Sequence, residues 1–240
     1  MKNLLLITTL LSSASLFAAE SAALPPFPEF TAPRAITKGP HDHFFASYFA
    51  INSWSPDLRY ALVLETDIKN TLPDGRSCTI GVVDTQDGDK FIPFSTTRTW
   101  NFQEAAMAFW LPWAKDTVVF NDRRDGKFVS VVMNWKTKEE RIVPYPVSAV
   151  SEDGTWALGI NYARLFLTRP DYGYYGDGQD PKKGVVFPED DGLFRIDLKT
   201  GEVKLIVSCA AVKGMVPEVK DPNGMSYICH TVISKDGKRV

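Results

Sequence analysis

A short Ser-x-Asp turn recurs along this 240-residue chain, each time ahead of a stretch of apolar residues. The aspartate of such a turn accepts hydrogen bonds from nearby backbone N–H groups, and a following glycine tolerates positive φ. Each copy therefore predicts a turn that leads into a β-strand. The copies begin at Ser55, Ser151 and Ser234, and a weaker copy covers residues 110–116.

A second element alternates with this turn and consists of a strand, a tight polar turn and a returning strand. That pattern predicts β-hairpins, which cover residues 80–94, 129–145 and 193–207. Alternating the two elements gives units of four short strands at residues 55–94, 110–145 and 151–207, with a further unit beginning at Ser234.

Repeats of about 40–50 residues with four strands are typical of β-propeller blades. We therefore expect an all-β propeller in which this sequence is an N-terminal fragment of about three blades plus the start of a fourth. The predicted strands cover residues 44–51, 61–65, 79–83, 117–120, 129–134, 157–160, 193–197 and 204–207. Residues 164–191 interrupt the third unit and are predicted to form a surface loop, and no helix longer than three turns is expected between residues 55 and 207.

The first 19 residues have the features of a secretory signal, with a positive start at Lys2, a short apolar run and small residues before a cleavage point after Ala19. The run is too short and too polar for a membrane-spanning helix. Residues 20–40 contain five prolines and are predicted to be an extended lead-in, so that the propeller domain covers residues 41–240. We expect an exported protein, periplasmic or extracellular, with no membrane span after cleavage.

Composition excludes two classes of protein. The net charge of −2 gives no basic field for a nucleic acid, and 44% hydrophobic with 23% charged residues excludes disorder. The three cysteines, Cys78, Cys209 and Cys229, match no zinc spacing and are predicted to be buried small apolar residues. A single disulfide among them stays open, because export leads to an oxidising compartment.

The histidines offer two candidate sites. His41 and His43 share a strand face with ligand-capable spacing, but no third ligand is identifiable, and a polar start to the first strand is the simpler explanation. His230 lies four residues before the Ser234 turn. It is either a structural histidine that binds the turn backbone or a catalytic residue at the mouth between two blades.

Arginine and aromatic residues cluster in two predicted loops. Guanidinium groups grip carboxylates and aromatic rings stack on sugars, so the clusters suit an acidic oligosaccharide, although loops packed by their own aromatic residues would look the same. A carboxylate run at residues 189–191 suits a hard cation or a solvated turn. No motif of a serine hydrolase, a nucleotide hydrolase or a zinc protease occurs. The clusters comprise Arg98, Trp100, Asn101, Gln103 and Glu104, and Arg164, Arg169, Tyr172, Tyr174 and Tyr175.

Several further motifs accompany the repeat. They are His43-Phe44-Phe45, Trp54-Ser55-Pro56-Asp57 with Arg59-Tyr60, Asn101-Phe102-Gln103, Trp110-Leu111-Pro112, Phe120-Asn121-Asp122, Pro188-Glu189-Asp190-Asp191-Gly192 and Asp197-Leu198-Lys199-Thr200-Gly201-Glu202. Together they make most of residues 41–240 resemble the secreted oligogalacturonate-lyase-like propellers, a broad and largely uncharacterised group. The resemblance implies a seven-bladed propeller that cleaves uronic-acid polysaccharides by β-elimination. It also implies a divalent metal, manganese or similar, whose ligands in the family lie further along the chain than this sequence extends.

The resemblance points to His230 as the catalytic base, and the lyase hypothesis built on the loop clusters assigns the other roles. His230 would be the base, Arg164 or Arg169 would neutralise the substrate carboxylate, and Tyr172 or Tyr174 would stack on sugar or donate a proton. Arg98, Gln103 and Tyr174 would contact substrate.

A lyase requires His230 and one of these arginines at the same mouth, with side-chain tips within about 10 Å. The alternative function is a non-catalytic periplasmic propeller that binds a glycan or a protein. It predicts His230 buried against the Ser234 turn and loop arginines paired with Asp171 or Asp177.

Overall fold

The computed structural model describes residues 32–48, 51–176, 180–215 and 224–240. The predicted export signal, the first part of the lead-in and Asp177 lie outside the described residues. The contacts divide the chain into Met1–Arg34 and Ala35–Val240, and every element below belongs to the second unit. Residues 35–41 carry neither helix nor strand, and no helix within the described ranges is long and apolar enough to cross a membrane.

Within the described ranges, twelve strands form three separate four-stranded sheets, and within each sheet every strand pairs antiparallel with the next along the chain. The first sheet contains β1 Asp42–Phe45, β2 Tyr60–Thr66, β3 Cys78–Asp84 and β4 Lys90–Thr97. The second contains β5 Phe109–Trp110, β6 Thr117–Arg124, β7 Lys127–Asn134 and β8 Glu140–Val143. The third contains β9 Val147–Val150, β10 Trp156–Gly159, β11 Gly192–Asp197 and β12 Val203–Ser208.

This is the order of propeller blades, and it confirms the predicted all-β class and the predicted hairpins β3–β4, β7–β8 and β11–β12. The predicted unit boundaries were wrong by one strand, because each sheet begins with a strand that precedes the turn. The missed strands are short: β5 has two residues and β9 has four. The first strand, predicted at residues 44–51, runs over Asp42–Phe45.

The three Ser-x-Asp turns have the same hydrogen bonds. In each, the serine hydroxyl donates to the aspartate two residues later, and the backbone N–H five residues after the serine donates to that hydroxyl. These bonds lower the pKa of each aspartate. The residue after the aspartate has positive φ in every copy, and Leu58 occupies there the position that Gly154 and Gly237 hold in the others.

The hydrophobic core lies between neighbouring sheets. Strand β6 contributes to both sides, because successive side chains point to opposite faces. Val118 and Phe120 pack in the cluster shared with the first sheet, whereas Val119 packs in the cluster shared with the third. The middle sheet is therefore covered on both faces, as in an inner blade.

The predicted surface loop at residues 164–191 begins inside a short helix instead. Helix α1 spans Tyr162–Thr168, and the side chain of Asn161 caps it by accepting a hydrogen bond from the Arg164 N–H. Tyr162, Arg164 and Leu165 are buried. The second described helix, α2 Cys209–Met215, is equally short, so no described helix exceeds three turns.

Candidate functional site

Three segments that are distant in sequence meet at one mouth of the structure. They are the segment that contains Glu104, the segment that contains Tyr172, and residues 224–233. Asn101 joins the first two, because its Oδ1 accepts the N–H groups of Gln103 and Glu104 while its Nδ2 donates to the carbonyl of Tyr172 over 2.8 Å. The third segment, residues 224–233, is held where Thr231 hydrogen-bonds Ser148 over 2.6 Å. We call Tyr48, Glu104, Tyr172, Cys229 and His230 the Glu104–His230 site.

Glu104 is the buried acid of this site, with 4% of its surface exposed. The Tyr162 hydroxyl, which donates to the Val147 carbonyl, interacts with Glu104, and the Glu104 Oε2 is buried without a hydrogen-bond partner. Burial raises the pKa of Glu104 to about 7, because a low-dielectric surrounding disfavours the carboxylate. Near neutral pH this group can therefore either hold or release a proton.

Two stacked tyrosines lie in the core next to Glu104. The rings of Tyr162 and Tyr174 lie 4.1 Å apart, both are fully buried, and burial raises the pKa of each well above its ordinary value. The hydroxyl of Tyr174 accepts a hydrogen bond from Asn121. The prediction that Tyr174 stacks on sugar is therefore corrected: it belongs to the core.

His230 faces solvent at this mouth and is not buried against the Ser234 turn. Its ring packs against Tyr48 at 5.4 Å and edge-on against Tyr172 at 4.9 Å. The backbone of His230 is left-handed, with φ of 52°. In an extended chain, neighbouring side chains point to opposite sides. The left-handed backbone interrupts this alternation, so Cys229 and His230 both reach Glu104. A carboxylate oxygen of Glu104, the Cys229 Sγ and a ring nitrogen of His230 lie within 4.8 Å of one another.

Arg169 reaches the same tyrosine as His230. Its guanidinium carbon lies 4.7 Å from the centre of the Tyr172 ring, so the tips of Arg169 and His230 lie within about 10 Å of each other. A hydrogen bond to Tyr227 is the main cause that raises the pKa of Arg169. The ion pair with Asp171, at 3.6 Å, joins two largely exposed side chains and is weak.

Arg164 lies elsewhere, in the core of the inserted segment, with 1% of its surface exposed. Its five N–H groups donate to the Asp180 carboxylate and to four backbone carbonyls, so none is left for a substrate. Of the two predicted arginines, only Arg169 is placed to neutralise a carboxylate. The four carbonyls belong to Lys182, Val185, Val186 and Ser226.

The other two predicted contact residues lie beside separate cavities. Arg98 donates to the Gly75 carbonyl and borders a cavity of about 820 Å³ near Asp67. Gln103 is exposed beside a cavity of about 940 Å³ that also touches Asp171. Neither Gln103 nor Arg98 therefore lines the cavity that contains Glu104 and His230.

The cavity next to His230 has a volume of about 460 Å³ and a mostly apolar lining. Such a lining with a few polar groups is typical of a ligand pocket. Aromatic faces here suit sugar rings, and the polar groups can hold or move a proton. The residues that matter for this are Trp54, Glu104, Phe109, Trp110 and His230.

The described residues offer little to a metal ion. His41 and His43 engage different carboxylates, Asp67 at 2.8 Å and Glu65 at 3.2 Å. In the carboxylate run, Asp190 pairs with Lys182, whereas Asp191 accepts a hydrogen bond from Asn161.

Within the described part, the one group of three candidate ligands is Glu104, Cys229 and His230, spread over as much as 4.8 Å. A tetrahedral site brings its ligand atoms within about 4 Å of one another. Burial raises the pKa of Cys229 to about 11, which keeps the thiol neutral. A sulfur ligand also does not suit manganese, so these residues do not fit the metal that the resemblance implies. All three cysteines are free.

No family model matches the chain, and no curated protein matches it. Among solved structures, it is similar to TolB from Acinetobacter baumannii, with 13% identity and a TM-score of 0.43 over 72% of this chain and 34% of that one. It is also similar to the apo form of the AtxE2 isopeptidase, with 15% identity and a TM-score of 0.40 over 76% and 32%. The chain thus spans about a third of each. The family resemblance stays a hypothesis.

Proposed function

We propose that this chain is part of an exported propeller that cleaves uronic-acid oligosaccharides by β-elimination at the Glu104–His230 site. The observation that supports this is that an exposed imidazole, His230, and an exposed guanidinium, Arg169, both lie against the ring of Tyr172. An acidic sugar needs both groups at once. The adjoining cavity supplies aromatic faces for neighbouring sugar rings.

The proposed reaction begins when Arg169 binds the substrate carboxylate through paired N–H groups. His230 then takes the proton from the carbon next to that carboxylate, and Arg169 stabilises the enolate-like charge that develops. The electron pair forms a carbon–carbon double bond as the bond to the glycosidic oxygen breaks. Tyr172 gives its hydroxyl proton to the leaving oxygen and regains one from the His230 imidazolium, so that the protein ends unchanged.

The test is to incubate the purified protein with polygalacturonate and other uronans, with and without added manganese, and to follow ultraviolet absorbance of the unsaturated product. We expect product to form and His230→Gln to lower kcat/KM by about 10²–10⁴-fold. Arg169→Met is expected to lower it by about 10²–10³-fold. The matched control is Arg195→Met, since Arg195 lies against Trp156 on the third sheet. No product from any uronan would contradict the lyase proposal.

A second candidate is a non-catalytic propeller that binds a glycan or a protein. The observation in its favour is the mostly apolar lining of the cavity beside His230, which includes Trp54, Phe109 and Trp110. It predicts that uronans change the tryptophan fluorescence of the protein without forming product. Loss of that change in Trp110→Ala, with no product from the wild type, would favour binding over cleavage.

A further inference from the structure

Glu104 carries a buried oxygen that nothing in the fold explains. Its Oε2 lacks a hydrogen-bond partner, and the nearby Tyr162 hydroxyl donates to the Val147 carbonyl. Burying such a group costs free energy unless a partner compensates for it, and most buried polar atoms in proteins have one. A donor that came within reach of this oxygen would therefore stabilise the protein.

The groups that face Glu104 narrow the choice of that partner. Tyr162 and Tyr174 face it from α1 and the segment that follows, and Tyr48 faces it from the segment after β1. Cys229 and His230 face it from residues 224–233. Of these five, only His230 can gain a positive charge. The nearest described ion pair, Arg169 with Asp171, acts on Cys229 and not directly on Glu104.

The backbone holds both groups in position. Asn101 fixes the Glu104 N–H, and His230 has a left-handed backbone with a ring nitrogen within 4.8 Å of the carboxyl group. A residue other than glycine adopts that conformation at a cost in free energy, so it persists only where the surroundings enforce it. A carboxyl oxygen and a ring nitrogen within 4.8 Å can meet through one water molecule or a small side-chain shift.

We propose that Glu104 and His230 form one proton-holding pair in which the Glu104 carboxylate stabilises the His230 imidazolium. When one ring nitrogen of His230 takes a proton, the other ring N–H donates to Glu104. No covalent bond other than those to the moving proton changes. The catalytic use of the pair rests on the proposed function, whereas the pairing is a property of the protein without substrate.

The pair accounts for the chemistry of Glu104 better than a metal does. Burial raises the pKa of Glu104 to about 7, so a positive charge beside it favours the carboxylate at neutral pH. Two groups coupled in this way titrate together and share their protons. A metal ion would instead need the thiolate of Cys229, a group that burial keeps protonated.

The test is a pH titration of the histidine resonances by NMR. The chain has three histidines, and His230→Gln assigns the signal of interest. We expect Glu104→Gln to move the His230 titration to lower pH by about one unit, because the imidazolium loses its partner. The matched control is Glu152→Gln, which removes the same charge from an exposed position beside the same cavity and is expected to leave the titration in place. An equal His230 titration in wild type and Glu104→Gln would overturn the pair.

Two further measurements keep the proposal open to refutation. If Glu104→Gln does not fold, the wild-type His230 signal must itself show two inflections, and a single one would overturn the pair. Added Co²⁺ is expected to give no thiolate absorption band, and a band that Cys229→Ser removes would show a metal site in place of the pair.

The failure of the lyase proposal can be told apart from the failure of the Glu104–His230 pair. If uronans are not cleaved but the shift occurs, only the lyase proposal fails, and cleavage without the shift removes only the pair.

Discussion

The ion pair between Arg59 and Asp84 shows how one residue anchors a strand end. The Arg59 guanidinium donates twice to the Asp84 carboxylate, at 2.9 and 2.6 Å, and the Asp84 side chain is 5% exposed. The hydrogen bonds from Arg59 are the main cause that lowers the pKa of Asp84. We expect Asp84→Asn to reduce the free energy of unfolding by about 1–3 kcal/mol at pH 7, measured by urea denaturation.

The pH dependence of this pair has a definite sign. Because the pKa of Asp84 is lower in the folded state, its contribution is complete above the ordinary aspartate value of 3.8 and is lost as the pH falls through the folded value. The stability difference between wild type and Asp84→Asn should therefore shrink in strong acid. Asp87→Asn, in the exposed turn that follows, serves as control. A difference that does not change with pH would contradict this account.

Individual site residues were predictable only in part. His230, Arg169 and Tyr172 stand beside turns and loops, which usually carry function at the surface. Glu104 was visible in the sequence only as a member of a polar cluster, because its burial depends on Tyr162, far along the chain. Arg164 has a loop-like sequence around it, and only the three-dimensional arrangement supplies the carbonyl groups that bury it.

At the scale of elements, the repeated turn offers an internal comparison. Ser151 is buried and Ser234 belongs to an exposed turn, yet the hydrogen bonds of the two are the same. We expect Ser151→Ala to lower the free energy of unfolding by about 1–2 kcal/mol, because it leaves a buried N–H without its partner. Ser234→Ala, open to water, should change it by less than about 0.5 kcal/mol. Equal effects in urea denaturation would show that burial does not matter here.

The strands with a long apolar pattern were predicted correctly from the sequence. Strands β3, β7 and β11 are apolar runs next to polar turns, which a sequence reveals directly. Strand β5 has two residues and is defined by its pairing with β6 alone. Helix α1 escaped prediction because Gly, Tyr and Asp dominate the residues after it, although Asn161 in the capping position was a signal.

At the scale of the whole molecule, Asn121 connects sheets that share no hydrogen-bonded strands. Its side chain accepts from Ser130 within the second sheet, exchanges two hydrogen bonds with Val147 of the third, and donates to Tyr174. We expect Asn121→Ala to cost about 2–4 kcal/mol, because several buried groups lose partners together. Circular dichroism and tryptophan fluorescence should then no longer report one coincident urea transition.

The control for this variant is Asn134→Ala. Asn134 also accepts two backbone N–H groups, but it does so within a single exposed turn of the second sheet. A loss of about 1 kcal/mol with coincident transitions is expected there. If both variants behaved alike, the sheets would not depend on Asn121 for their coupling.

The burial of Arg164 has a consequence for how the protein responds to acid. A guanidinium keeps its charge at every pH a protein meets, and four of its five acceptors here are peptide carbonyls, which do not titrate. The clamp that ties α1 to residues 182–186 and 226 is therefore largely indifferent to proton concentration. Protonation of Glu104 or His230 is therefore expected to leave these carbonyl contacts of Arg164 intact.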